Sequence, residues 1–174
     1  MNIAFIGYGQ VGGPLADRLQ RLGHTVTLAA ADAGSDSVKK ALARNPQLQV
    51  ALPKDAVSGA EVVFLATPFA ANADAVQAVA EELVGKILVD CTNPVGPNLS
   101  HGLRSEQSGS EWLQQLAPHT QVIKAFTIYG FENFEDSTYP AYSVKPVMMF
   151  CGEQAAAKQV VGALIAALGF EPLD

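Results

Sequence analysis

The feature that most restricts this chain is its beginning, where an apolar run must turn on glycine straight into a helix. Met1 to Ile6 (Met-Asn-Ile-Ala-Phe-Ile) is short, apolar and rich in strand-forming residues. Gly7-Tyr8-Gly9-Gln10-Val11-Gly12 follows at once. Val11, Leu15, Leu19 and Leu22 then recur at helical spacing, with Asp17, Arg18, Gln20 and Arg21 on the other face. In a strand–turn–helix setting each glycine has its own task. Gly7 permits the sharp turn out of the strand, and Gly9 lets an anion approach the backbone. Gly12 allows the helix to pack tightly on the strand. The helix start offers unpaired N–H groups and a partial positive charge. The motif points to a pyrophosphate; a tight turn without a ligand is the plainer alternative.

Thr25 to Ala30 reads as a second strand, which completes a βαβ unit of the size expected for dinucleotide binding. The end of that strand is where NAD and NADP are told apart: an acid bonds the ribose 2′-OH, and a base meets a 2′-phosphate. Here stand Ala29, Ala30, Ala31 and Asp32, with neither signature. Asp32 can reach a ribose or start a turn. Ser35, Ser37, Lys39 and Lys40 follow on a short helix, where they can meet a 2′-phosphate or form a solvated face.

The rest of the chain keeps alternating. Leu48 to Leu52 is a short strand closed by Pro53, and Lys54 to Gly59 a connector. Glu61 to Thr67 is a near-continuous apolar strand, as expected where both faces of a parallel sheet are covered. A helix is predicted from about Ala70 to Leu83, then strands at Lys86–Asp90 and Gln121–Phe126. Residues 95 to 109 lack periodicity and form a long loop. Ser110 caps a helix to Ala117. A further strand spans Val147 to Cys151, a last helix Glu153 to Leu168, and a final short strand Phe170 to Leu173. These elements predict one domain over residues 1–174. Its fold class is α/β, a Rossmann-type doubly wound, mostly parallel sheet with helices on both faces. Ligands in such sheets bind beyond the carboxyl ends of the strands. That rule lines up Gly7 to Gly12, Ala29 to Asp32, Thr67-Pro68-Phe69, Cys91 to Pro94 and Ala125 to Thr127 along one edge. Asn93 offers both a donor and an acceptor there.

Composition removes several classes. Charged residues are 16% and the net charge is -6 without a basic cluster, which argues against nucleic acid as a partner. No apolar stretch is long enough to span a membrane. The first strand starts at Asn2, so no leader is expected, and a cytoplasmic setting with Cys91 and Cys151 reduced follows. His24, His101 and His119 are scattered and the two cysteines lack zinc spacing, so no metal site is expected.

These residues resemble the NADP oxidoreductase family of the coenzyme F-420-dependent type, and the cytosolic domain of metalloreductases. The likeness rests on Ile6-Gly7-Tyr8-Gly9-Gln10-Val11-Gly12, Leu22-Gly23-His24-Thr25-Val26, Thr67-Pro68-Phe69 and Gly85-Lys86-Ile87-Leu88-Val89-Asp90. It continues through Thr92-Asn93-Pro94, Val122-Ile123-Lys124-Ala125-Phe126, Cys151-Gly152-Glu153 and Gly169-Phe170-Glu171-Pro172. The resemblance implies a homodimer. It also implies hydride transfer between a nicotinamide and a small planar substrate, F-420 or flavin, with no catalytic side-chain acid or base. By position, Gly7, Tyr8, Gly9, Gln10, Val11 and Gly12 would hold the pyrophosphate, and Ala30 and Ala31 would meet the adenosine ribose. Thr67, Pro68, Phe69, Asn93 and Pro94 would flank the riboses and linker. Ala125 and Phe126 would lie near the nicotinamide. Phe126, Tyr129, Phe131, Phe134, Tyr139 and Tyr142 would wall the planar partner, or else form core or a dimer contact.

The chain departs from the family in three places. Ala30 and Ala31 stand where Ser-Arg is common, which leaves the preference between NADP and NAD open. Thr127 stands where Asn is frequent. Relatives usually continue beyond the point where this chain stops, at Asp174. The function expected is an NAD(P)(H)-dependent oxidoreductase; the alternative is a non-catalytic NAD(P)-binding module that senses redox state.

Overall fold

In a computed structural model, which describes residues 1–142 and 144–174, the chain alternates strands and helices almost throughout. The strands are β1 (Asn2–Ile6), β2 (Thr25–Ala29), β3 (Gln49–Ala51), β4 (Val62–Leu65), β5 (Ile87–Asp90), β6 (Gln121–Lys124), β7 (Val147–Met149), β8 (Cys151–Gly152) and β9 (Glu171–Leu173). The helices are α1 (Gly12–Arg21), α2 (Asp36–Arg44), α3 (Pro53–Ser58), α4 (Asn72–Gln77), α5 (Gly109–Leu116), α6 (Glu132–Glu135) and α7 (Ala155–Ala167). The main sheet has the order β3-β2-β1-β4-β5-β6-β8; β8 runs antiparallel and the rest are parallel. The Rossmann-type, mostly parallel sheet predicted from the alternation is present. β7 and β9 pair separately.

Alternation within strands explains the two layers. Successive residues point to opposite faces. Ile3, Phe5, Val62, Phe64, Val89 and Ile123 point into one core, with Leu15 and Leu19 of α1 and Val161, Leu164 and Ile165 of α7. Ala4, Ile6, Val63, Leu65, Leu88 and Val122 point into the other, with Val57, Val76, Leu83 and Leu113. Both faces are covered, which is why these strands read as unbroken apolar runs. The chain leaves β1 toward β2 and β3, then crosses back to place β4 on the other side of β1. That reversal opens the crevice where ligands bind in such sheets.

Several element boundaries differ from expectation for identifiable reasons. Pro53 does not merely close a strand; it opens α3, in the part of the chain expected to be a connector. Proline at a helix's first turn loses no needed donor and has its φ already set. The helix expected over 70–83 is a 3-10 turn at Phe69–Ala71 and then α4, followed by turns that mix short and long backbone bonds. Ser108, not Ser110, caps α5: its hydroxyl accepts from the Glu111 N–H at 3.1 Å, and the Glu111 carboxylate accepts from the Ser108 N–H at 2.8 Å. The strand expected over 147–151 splits between two sheets.

The polar face of α1 is also covered. Asp17 is buried, and the Arg18 guanidinium donates to the Phe134 carbonyl, the Ser137 hydroxyl and the Leu168 carbonyl at the end of α7. Arg44 of α2 bridges Asp17 at 3.3 Å to Glu135 of α6, which it grips with two nitrogens. Burial alone would raise the Asp17 carboxyl, but bonds from Arg21, Asn45 and Arg44 outweigh it and leave the group below its ordinary value. Glu135 is lowered chiefly by the Arg44 hydrogen bond.

Carboxylates lowered in the native state stabilise it above their unfolded pKa, and that stability is lost as pH falls through the native values. The thermal midpoint, followed by circular dichroism, is therefore expected to fall as pH drops below about 4. Arg44→Met is expected to have a lower midpoint at neutral pH and a shallower acid dependence; equal acid slopes in the two proteins would rule the cluster out as the cause.

Candidate functional site

The turn after β1 is built by contact, not by side-chain bonds. Gly7 has φ +88°, and a Cβ there would lie 2.7 Å from the Ala66 carbonyl group. A Cβ on Gly12 would lie 2.1 Å from the Gly7 carbonyl oxygen. The first turn of α1 is thus pressed against the ends of β1 and β4. Gly9 differs: a Cβ on it would meet nothing within 4 Å. The start of α1 has no side-chain cap and no acid in its first turn, so its partial positive charge is not offset by a side chain, although the Gly13 N–H is taken by the Gly9 carbonyl at 2.9 Å and Pro14 has none to offer.

A cleft of about 530 Å³ opens at this point. Gly7, Gly9, Gln10 and Val11 line one side; Thr67, Pro68 and Phe69 line another. Cys91, Thr92, Asn93 and Val95 close it. The structure therefore gathers most of the expected residues from three strand ends. Gly12 is buried behind the turn. Pro94 is half-buried beneath the loop, its carbonyl accepting from Gly102 at 2.6 Å. Asn93 directs its amide toward the Thr127 carbonyl at 3.4 Å, which draws the β5 and β6 ends together. Phe69 is held by Trp112, with ring centroids 5.1 Å apart.

A second cleft of about 530 Å³ lies across Gly9 and Gln10, between α1 and α2. Tyr8, Ser37, Lys40, Arg44, Phe131 and Glu135 are among its walls. Arg44 is engaged by Asp17 and Glu135 and Lys39 pairs with Asp36 at 3.8 Å, whereas Lys40 is exposed in the cleft. Ala30 and Ala31 line neither cleft; Ala30 is buried and donates to the Ala51 carbonyl. Asp32 is spent on its own turn, accepting from the Gly34 N–H at 2.7 Å.

The expected wall at the end of β6 is a correction. Ala125 and Phe126 are buried, and Phe126 packs among Phe64, Phe134 and Phe170, so neither side chain reaches the cleft. Tyr129 stacks on Phe170. Phe126 and Phe134 are core, Tyr129 and Tyr139 are half-buried, and Phe131 and Tyr142 are exposed. Phe126 also has φ +60°, a costly conformation for a bulky residue, held here by the surrounding rings.

Behind the cleft wall lies a buried polar network that sequence reasoning missed. Asp90, at the end of β5, is fully buried. Its Oδ1 accepts from the Thr92 N–H at 2.9 Å and the Thr92 hydroxyl at 2.7 Å. Its Oδ2 accepts from Ser110 at 2.7 Å and from Lys124 at 3.0 Å. Lys124 also donates to the Thr92 carbonyl. Asn72, fully buried, donates to the Thr92 hydroxyl at 2.8 Å and accepts from the Thr67 hydroxyl at 2.7 Å. The only signal in the sequence is that an Asp, a Lys and an Asn fall where apolar residues would otherwise pack. Among the described residues no group of three or more His, Cys, Asp or Glu is placed to hold a metal, and no helix is long and apolar enough to cross a membrane.

The chain is similar to several known proteins. The family described as NADP oxidoreductase coenzyme F420-dependent matches residues 2–94. The metalloreductase STEAP3 of Rattus norvegicus is 34% identical over 174 residues, 99% of this chain; the chain spans 33% of that relative's length. Among solved structures, a protein of Arthrobacter sp. FB24 designated an F420-dependent NADP reductase is 31% identical, with a TM-score of 0.86 over 100% of this chain and 84% of the other. SMa0349 of Sinorhizobium meliloti is 28% identical, with a TM-score of 0.87 and the same coverage, 100% and 84%.

Cys91 lines the cleft but is nearly closed to solvent, and burial, then the neighbouring Asp90 charge, push its thiol far above the ordinary range. Thiolate is the reactive form. Iodoacetamide at pH 8 is therefore expected to label exposed Cys151 in the folded protein and Cys91 only after urea. Peptide mass spectrometry reads this directly, and rapid labelling of native Cys91 would contradict it.

Proposed function

The chain belongs to the coenzyme F420-dependent NADP oxidoreductase family, and on that footing we propose that it transfers a hydride directly between NADP(H) and a flat acceptor such as F-420 or a flavin. One observation carries the reading. Among the described residues lining the crevice there is no carboxylate, lysine or histidine, and its one thiol is held protonated. Chemistry that moves a proton through a side chain has no group to use there. Hydride transfer asks the protein only for proximity, orientation and dryness. When bound, the reduced nicotinamide supplies the hydride.

The chain's own residues fit a dinucleotide. Gly9 leaves open the space a pyrophosphate needs, and the start of α1, without a side-chain cap or an acid, supplies favourable charge. Thr67 and Asn93 offer polar atoms for the riboses, and the Pro68-Phe69 wall, with Phe69 braced by Trp112, offers an apolar surface. The buried Phe126 and Ala125 act through backbone position, shaping the edge and not contacting the partner. With Ala30 and Ala31 bare, a 2′-phosphate would be met by Ser37 and Lys40 in the neighbouring cleft. The same bare alanines favour the second reading, a nucleotide-sensing module without turnover.

Following NADPH oxidation with F-420, free flavins and ferric chelates as acceptors separates the two. Turnover with any of them supports the oxidoreductase; tight binding with no turnover supports the sensor. Gly9→Ala is expected to keep the fold within about 1 kcal/mol yet weaken NADPH binding about tenfold or more. Gly12→Ala collides with the Gly7 carbonyl and is expected to cost about 2 kcal/mol of stability. Denaturant titration and fluorescence binding distinguish them, and equal effects on both properties in the two variants would refute the division of labour. Lys40→Ala is expected to raise the Kd for NADPH about fivefold to tenfold and leave NADH unchanged. Lys39→Ala should change neither; an unaltered NADPH affinity in Lys40→Ala would place the 2′-phosphate elsewhere.

A further inference from the structure

The buried network behind the cleft has a direction, and the direction says what the cleft wall can bind. Asp90 is paired with Lys124, and its carboxylate only accepts. All four of its bonds are filled, two of them by Thr92 and the others by Ser110 and Lys124. The Thr92 hydroxyl therefore spends its hydrogen on Asp90 and can only accept from the next group. That group is the Asn72 amide, whose NH₂ must face Thr92. The Asn72 oxygen is left for Thr67, so the Thr67 hydroxyl hydrogen points inward. This polarity follows from the charge at Asp90 and does not depend on which end of the amide is assigned.

Thr67 is half-buried and lines the crevice. With its hydrogen committed inward, it shows the cleft lone pairs alone. Phosphate oxygens, which are also acceptors, gain nothing there. We propose that Thr67 is an obligate acceptor for a hydroxyl of the nicotinamide-side ribose, and that Asn72 and Asp90 are positioning residues that enforce this polarity from inside the fold. The proposal rests on the dinucleotide reading above and deepens it: this wall recognises a sugar hydroxyl, while the Gly9 side takes the phosphates. A fully satisfied buried chain is rigid, and breaking one link releases the hydroxyl to rotate.

The test is equilibrium binding, read by fluorescence or calorimetry, with three probes. NADP carries both riboses. Adenosine 2′,5′-bisphosphate lacks the nicotinamide half. The 3-acetylpyridine analogue of NADP lacks the carboxamide N–H but keeps the ribose. Thr67→Val is expected to weaken NADP about tenfold, while Thr67→Ser stays within about twofold of wild type. Both should bind adenosine 2′,5′-bisphosphate as wild type does, and Thr67→Val should weaken the acetylpyridine analogue as much as NADP. Asn72→Leu is expected to weaken NADP about threefold, with the double variant no worse than Thr67→Val alone. Because Thr67 is at the cleft surface, its variants report even if Asn72→Leu does not fold.

Wild-type affinity for NADP in Thr67→Val would overturn the proposal. So would equal loss of NADP and adenosine 2′,5′-bisphosphate, which marks a structural defect, or an effect that disappears with the acetylpyridine analogue, which moves the contact to the carboxamide. A wild-type protein that binds none of the three probes overturns the dinucleotide reading itself, a separate result.

Discussion

The contact between Gly12 and Gly7 governs everything built at the carboxyl edge of the sheet. With a Cβ only 2.1 Å from the Gly7 oxygen if one were present, no other residue lets α1 start so close to the end of β1. Gly7 in turn sits against the Ala66 backbone, so β1, α1 and β4 meet at one point. Helix α1 then presents its bare N-terminus where the strand order reverses. Move that helix outward by the width of a methyl group and the two clefts on either side of Gly9 lose their common wall.

Asp90 is the second constraint. A fully buried carboxylate is costly unless every lone pair is used. Here Thr92, Ser110 and Lys124 use them, drawn from the loop after β5, from α5 and from β6. One charge thereby aligns three elements and orders the wall that Thr67 and Thr92 present. Ser110 is placed by this duty, which explains why the helix cap falls to Ser108 instead.

The parts of the fold that were legible in the sequence are those where one force dominates. β1, β4, β5 and β6 are covered on both faces, so their apolar runs could mean little else. The glycine turn was legible because Gly7 and Gly12 each answer a separate steric demand. Thr67, Phe69 and Asn93 meet in one cleft as the strand-end rule predicts. What stayed hidden depends on partners far along the chain. Pro53 serves equally to end a strand or begin a helix, and only α3's packing decides. Asp17 and Arg18 look solvated on a helical wheel until α2, α6 and the end of α7 arrive to cover them. Phe126 was expected at a ligand because it follows a strand, but the rings of Phe64, Phe134 and Phe170 claim it. Asn72 and Asp90 carry no spacing pattern, since a hydrogen-bond chain closed through space leaves no period in sequence.

Arg18 has a consequence for how the chain is made. Its guanidinium is satisfied by Phe134, Ser137 and Leu168, residues 116, 119 and 150 positions downstream. As the polypeptide leaves the ribosome, the first βαβ unit emerges with this cation and the surface around it unmatched. Phe134 and Ser137 meet it first, and the match is complete only once Leu168 has been added. The first βαβ unit therefore waits for residues as far as 150 positions downstream before it can lock. A nascent chain halted before Leu168 would leave one flank of that unit open to chaperones or proteases.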